Sequence, residues 1–271
     1  MREPRKQLVT HMNFYKQNTN SVFDKEYDYI ISIGHRCCVA LANGYMRKSS
    51  FPFDWQITKI NLLPTLFKNE LKCFYPNSGV IFVHEYHKED EQGKSLGVDY
   101  ELTSNTFERR CARLVDLLKK NNRRLLFVRS KYNWYWSKLD HASQEDQHSK
   151  EYDVEQITLL SDVIKEHYSN DKTDFLYIYG DVTDLDSFDK DPSCKKAGLQ
   201  WKDDGTVDYS DLVLPSITEQ LKIAENFDYV ELPTIGNIHT VKVKMNGVRI
   251  EAMSYNSKIF DQLRISEVKD F

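Results

Sequence analysis

The sequence predicts an α/β protein: a single Rossmann-like domain with a mostly parallel sheet and helices on both faces. Three observations lead there. Short β-branched apolar runs alternate with amphipathic stretches along the chain, the signature of strands joined by helical crossovers. Tyr27–Ala42 reads as a buried strand that turns sharply at Gly34 into a helix. Neither a repeat nor a Pro/Gly-rich linker interrupts the chain, so residues 27–271 read as one domain behind a polar arm over 1–26.

The elements follow in order. Tyr29-Ile30-Ile31-Ser32-Ile33 is nearly continuous in apolar residues, as in a strand covered on both faces. Cys37, Val39, Ala40, Leu41 and Ala42 begin a short helix that stops at Asn43-Gly44. Ser49 to Trp55 is a loop, because Pro52 disfavours helix at Phe51. A helix is expected over Thr58–Lys68, weakened by Pro64, then a strand at Val80–Val83 and an exposed charged loop over Lys88–Gly97. Asn105 and Glu108 resemble a capping pair for the stripe Phe107, Cys111, Leu114 and Leu118. Leu125–Val128 is a strand, Val154 to Ile164 a helix and Phe175–Tyr179 a strand. A long polar loop over Asp184–Asp208 precedes a helix at Ile217–Asn226 and a strand at Tyr229–Leu232. A terminal hairpin is expected around Asn246-Gly247 within Val241–Ile250.

Composition narrows the function. The 271 residues are 40% hydrophobic, 29% charged and 13% aromatic, with a net charge of −4. That balance lacks the basic footprint of a duplex nucleic-acid binder, whereas 16 tyrosines suit stacking on sugars or bases. Five cysteines form no CxxC pair, which points to reduced thiols and a cytoplasmic setting. The basic N-terminus has no apolar signal core, and no run approaches the length of a membrane span.

In open parallel sheets, ligands bind beyond the carboxyl ends of the strands. That rule selects Gly34-His35-Arg36-Cys37, His84 to His87, Arg129-Ser130-Lys131, Gly180-Asp181 and Thr234 to His239. The set is rich in cations, which suits a phosphate or nucleotide diphosphate. A glycine turn into a helix offers free N–H groups to an anion. Arg129 ends an apolar strand, where a guanidinium could grip phosphate bidentately, with Lys131 beside it and Arg110 and Arg113 assisting from a helix. Asp54 is bracketed by Phe51, Pro52, Phe53 and Trp55; an apolar setting raises a carboxyl into the range of a general base, and capping the following helix is the alternative. His35 and His84 are the other candidate bases. His84, Glu85 and His87 have loose metal-ligand spacing without a third ligand. GxGxxG, P-loop, GxSxG and HExxH motifs are all absent.

The pattern Ile31-Ser32-Ile33-Gly34-x-x-Cys37-x-x-Ala40, followed by Arg47-Lys48-x-Ser50-x-Pro52-Phe53-Asp54-Trp55, resembles an uncharacterised family labelled papain-like cysteine peptidase. Phe82-Val83-His84, the Arg109/Arg110/Arg113 helix and Leu126-Phe127-Val128-Arg129 extend the likeness over about residues 27–130. The label implies Cys37 as nucleophile with His84, His87 or His239 as its base. The alternation of strands and helices and the absence of a glutamine ahead of Cys37 depart from papain. The chain also looks like the compact glycosyltransferases with which chloroviruses decorate capsid glycans, which would put it in the host cytoplasm.

The residues therefore favour a glycosyltransferase that takes a nucleotide-sugar, as a UDP-sugar, and a glycan acceptor. Arg129, Ser130, Lys131, Arg110 and Arg113 would hold the diphosphate, with Gly34, Arg36, Cys37 and Trp55 at the substrate. Asp54, His35 or His84 would be the base. No tightly bound cofactor is expected, and a divalent metal is compatible but not implied. A cysteine-dependent hydrolase and a non-enzymatic nucleotide or glycan binding module are the alternatives.

Overall fold

The computed structural model describes residues 21–34, 39, 50–54, 56–72, 80–83, 87–89, 95–98, 100–132, 148–181, 200–201, 207–208, 229–244 and 259–266. In chain order these hold β1 (Glu26–Tyr27), β2 (Tyr29–Ser32), β3 (Gln56–Thr58), α1 (Leu63–Lys68), β4 (Val80–Val83), β5 (His87–Glu89), β6 (Ser95–Val98) and α2 (Tyr100–Lys120). Then come β7 (Leu125–Tyr132), α3 (Lys150–Tyr168), β8 (Thr173–Asp181), β9 (Gln200–Trp201), β10 (Val207–Asp208), β11 (Tyr229–Glu231), β12 (Ile238–Lys244) and β13 (Arg264–Ile265).

The architecture is α/β around a five-stranded mixed sheet of order β11-β12-β8-β7-β2. β2, β7, β8 and β12 run parallel, and only β11 is antiparallel, at the edge. The register sets Ile31, Phe127, Phe175 and Ile238 side by side across four strands. Residues in such a row share a face, so the sheet divides its apolar side chains into two cores. On one face, Ile31, Leu125, Phe127, Phe175 and Tyr177 meet Leu66 and Phe67 of α1, Phe107, Leu114 and Leu118 of α2, and Ile157, Leu160 and Ile164 of α3. On the other, Ile30, Leu126, Val128, Leu176, Ile178, Val241 and Val243 meet Val22, Tyr27, Val39, Ile259, Phe260 and Leu263. Burial on both faces explains why these strands read as continuous apolar runs.

The placement of the helices follows from strand order. The chain steps β2, β7, β8 in one direction across the sheet, and right-handed crossovers that step one way lay their helices on one face. α1, α2 and α3 accordingly share the first core. Helices on both faces were expected; among the described residues the second face is covered by Val39, which is helical, and by the short segments at 22 and 259–263. The described strands also show no reversal of order, and so no switch point.

Several local expectations change. Pro64 does not weaken a helix over 58–68 but opens α1, where its missing N–H is not needed, after a 3-10 turn at Ile60–Leu62. β4 forms as expected but pairs with β3 outside the central sheet. Within the charged stretch expected as a loop over Lys88–Gly97, the described residues belong to two strands, β5 and β6, which pair antiparallel. α2 begins at Tyr100, so Asn105 and Glu108 lie inside it and cap nothing. β7 runs on to Tyr132, which places Arg129, Ser130 and Lys131 within the strand. Val241–Lys244 belongs to β12, parallel to β8, while Asn246-Gly247 and the expected helix at 217–226 lie outside the described residues.

Candidate functional site

The junction beyond β2 is built around Gly34. Ile33 N donates to Val128 O at 3.0 Å, and Gly34 N donates to Ser32 Oγ at 3.2 Å. The chain then leaves at φ +87°, and a Cβ at this position would sit 2.6 Å from Thr58 Oγ1. Only glycine meets both conditions. Arg129 closes the junction from beneath: its Nη1 donates to Thr58 O at 3.3 Å and lies 3.5 Å from Ile33 O. With 0% exposure it is the largest fully buried side chain among the described residues. The sequence favours Arg129 as a phosphate grip, whereas these bonds tie the end of β2 to the end of β3.

Asp54 is also fully buried. Its Oδ2 accepts from Phe51 N at 2.8 Å, and its own N donates back to Phe51 O at 3.3 Å, so the carboxylate closes its own turn. The expected apolar setting is real: Phe51 lies edge-on to Tyr29 at 6.0 Å, and Phe53 stacks on Phe67 at 5.7 Å. Arg113 donates to Ser50 O at 2.8 Å. Burial, and then the neighbouring Arg109 and Arg110, pull its guanidinium below the ordinary value, and Arg110 is itself buried.

The second construction lies further along β7. Arg129 and Lys131 project to the same face, and Lys131 is 2% exposed. Its Nζ sits 3.2 Å from Asp153 Oδ2 and donates to His148 O at 2.6 Å. Tyr177 on β8 donates its hydroxyl to the same Oδ2 at 2.8 Å. Burial, and then Asp153, hold that phenol protonated well above its ordinary range. Ser149 caps α3 by accepting from Tyr152 N at 3.1 Å, which seats Asp153 in the first turn where the helix dipole favours a carboxylate. Tyr179 stacks on Tyr177 at 5.9 Å and carries Lys150 Nζ 5.3 Å over its ring. His148 lies against Tyr152 with ring centroids 4.4 Å apart.

The structure thus joins Gly34 with Arg129, and Lys131 with a group the sequence did not single out. Asp153, Tyr177 and His148 were missed because an acid in a first helical turn and a tyrosine in an apolar strand are ordinary features. Ser130 pairs with Ile178, so it faces the opposite side from Arg129 and Lys131. Arg113 stands near Tyr29, which pairs with Leu125. At about 3.3 Å per residue, Lys131 lies about 20 Å further along β7, so the two cations do not share a pocket. His35, Arg36, Cys37, Trp55 and His84 lie outside the described residues.

His239 is three strands from β2, with Nε2 3.6 Å from Asp174 Oδ1. Asp174 also takes Lys25 Nζ at 2.9 Å and the Tyr27 hydroxyl at 3.0 Å. Cys111, the one cysteine with a described thiol, has it pushed up to about 12 by burial and by Glu108. Among the described residues no three His, Cys, Asp or Glu side chains group as metal ligands, and no helix is long and apolar enough to cross a membrane. No protein-family model, no curated protein and no solved structure matches the chain.

Proposed function

We propose that the chain is a nucleotide-sugar-dependent glycosyltransferase on a single Rossmann-like domain over residues 27–271, with its donor site at the carboxyl ends of β7 and β8. The observation that carries this reading is the set of cations and rings gathered there. Lys131 and Lys150 stand beside Tyr152, Tyr177 and Tyr179, next to the capped N-terminus of α3. Cations and a helix N-terminus suit a diphosphate, and tyrosine rings suit a base or sugar. Arg129 serves this site by fixing the Gly34 and Thr58 backbones.

Calorimetry against UDP-, GDP- and dTDP-sugars tests it. At least one donor should bind, and Lys150→Glu should weaken that binding about tenfold with an unchanged melting temperature. If none of the panel binds, the reading is wrong.

A thiol-dependent hydrolase centred on Cys37 is the second reading: β2 ends at Ser32 and Val39 is helical, and Cys37, which lies outside the described residues, reads in the sequence as the start of that helix. A helix start lowers a thiol pKa. Rapid, specific labelling of Cys37 by iodoacetamide at neutral pH, with activity abolished in Cys37→Ser, would establish it. The internal pairing of Lys131 with Asp153 would also suit a non-enzymatic binding module, which donor turnover separates.

A further inference from the structure

We infer that Arg109 and Arg113 of α2 form a binding site for a phosphomonoester group at the amino end of the central sheet, separate from the proposed donor site. The starting point is a charge imbalance. Arg109 and Arg113 are spaced i, i+4 on α2, and Arg110 and Arg113 i, i+3, so Arg113 is a surface neighbour of both. The two act on its guanidinium as like charges, and like charges at this spacing destabilise a helix. Partial burial of Arg113 adds to that cost.

No acid offsets it. Among the described residues neither Arg109 nor Arg113 meets a carboxylate. The acids near them in the fold are engaged elsewhere: Asp116 takes Lys120 at 2.6 Å, Glu70 takes Lys72 at 3.1 Å and also Lys119, and Glu108 acts on the Cys111 thiol. Arg110 is buried and has contacts of its own, so the site is drawn from Arg109 and Arg113 alone.

The two side chains are placed differently. Arg113 is anchored: its Nη1 donates to Ser50 O at 2.8 Å, at the start of the turn that the Asp54 carboxylate closes. Phe51 of that turn lies edge-on to Tyr29, the first residue of β2, at 6.0 Å. A guanidinium carries five N–H donors, and the bond to Ser50 uses one of them. Arg109 is exposed and makes no hydrogen bond to a described residue, so its whole fork can close on the same ligand. Two forks and two positive charges match a group with three oxygens and a charge of about −1.5 to −2. A carboxylate, with two oxygens and one charge, fills only one fork.

The test is titration of the 15N-labelled full chain with phenyl phosphate at neutral pH, read on the arginine Nε–H signals. Those of Arg109 and Arg113 should shift and saturate. Benzoate, which has the same ring and a single charge, should bind about tenfold more weakly, and Arg109→Gln should weaken phenyl phosphate by about the same factor. Without ligand this variant should melt no lower than the wild type, because a like charge is gone, yet it should gain less from added phenyl phosphate. Arg113→Lys keeps the charge and loses the fork, and should lose affinity as well. Phosphatidylcholine vesicles with and without phosphatidic acid separate two sources of the group. Binding only to the doped vesicles marks a lipid headgroup, whereas phenyl phosphate binding with no vesicle binding marks a soluble ester. Unmoved Arg109 and Arg113 signals, equal affinity for benzoate, or wild-type affinity in Arg109→Gln overturns the inference. Donor binding is read separately by calorimetry, and its failure counts against the transferase while leaving the phosphate site standing.

Discussion

At Gly34 a single residue fixes a junction through its backbone. Its φ of +87° and the Thr58 side chain at 2.6 Å from a would-be Cβ act together. Gly34→Ala should therefore cost more than about 2 kcal/mol, combining left-handed strain with a clash, and a lowered urea midpoint at unchanged slope would show it. Lys131 is a different case, because its stability resides in a pair. Lys131→Met leaves Asp153 buried without its cation and should cost about 3–5 kcal/mol, whereas Lys131→Met/Asp153→Leu should recover most of the loss. Equal destabilisation by the single and double variants would show that the buried pair is not the source. The turn at Gly34 was legible because glycine after an apolar run has few other uses. The partner of Arg129 was not. Whether a strand-end guanidinium meets phosphate or carbonyl oxygens depends on Thr58, 71 residues away in sequence.

At the scale of elements, periodicity was a good guide wherever a helix presents a stripe to the sheet. Phe107, Leu114 and Leu118, and likewise Ile157, Leu160 and Ile164, are buried as their spacing requires. It failed where pairing is short or polar. The β5–β6 pair sets His87-Lys88-Glu89 against Ser95-Leu96-Gly97-Val98, and three polar residues facing a four-residue strand are too short a pattern to betray it. β4 looks like any buried strand until its antiparallel partner β3 is known. α1 illustrates how a six-residue helix, too short to persist alone, is held by its neighbours. Phe67 stacks on Phe53, meets Phe127 edge-on at 5.7 Å, and offers its carbonyl to the Tyr168 hydroxyl at 2.6 Å. Phe67→Ala should cost about 3–5 kcal/mol, since it empties the contact of three elements at once. Tyr168→Phe removes one hydrogen bond and should cost about 1 kcal/mol. Chemical denaturation of both variants gives the ratio, and comparable losses would mean that the ring contacts do not hold α1.

Over the whole molecule, the ends of the described chain are drawn onto the second face by polar groups that no local pattern reveals. Lys25 and Tyr27 reach Asp174 on β8, His239 reaches it from β12, and Ser266 N donates to Tyr27 O at 2.9 Å. Burial alone would raise the Asp174 carboxyl, but hydrogen bonds from His239, Lys25 and Tyr27 outweigh it and hold the group below its ordinary value. A carboxyl depressed in the folded chain binds its proton more tightly once unfolded. Its contribution is thus fully present above the unfolded value, about 3.9, and is lost as pH falls through the lower folded value. Tyr27 has the opposite sign. Burial and then Asp174 raise its phenol, so its contribution is present below about pH 10 and is lost as pH rises further. Stability should therefore be flat near neutrality and fall on both sides. Asp174→Asn should begin with a lower urea midpoint at pH 7 and lose less of it on going to pH 3 than the wild type does. Parallel acid limbs for the two proteins would mean that this cluster does not control acid unfolding and that the carboxylates of the first face do.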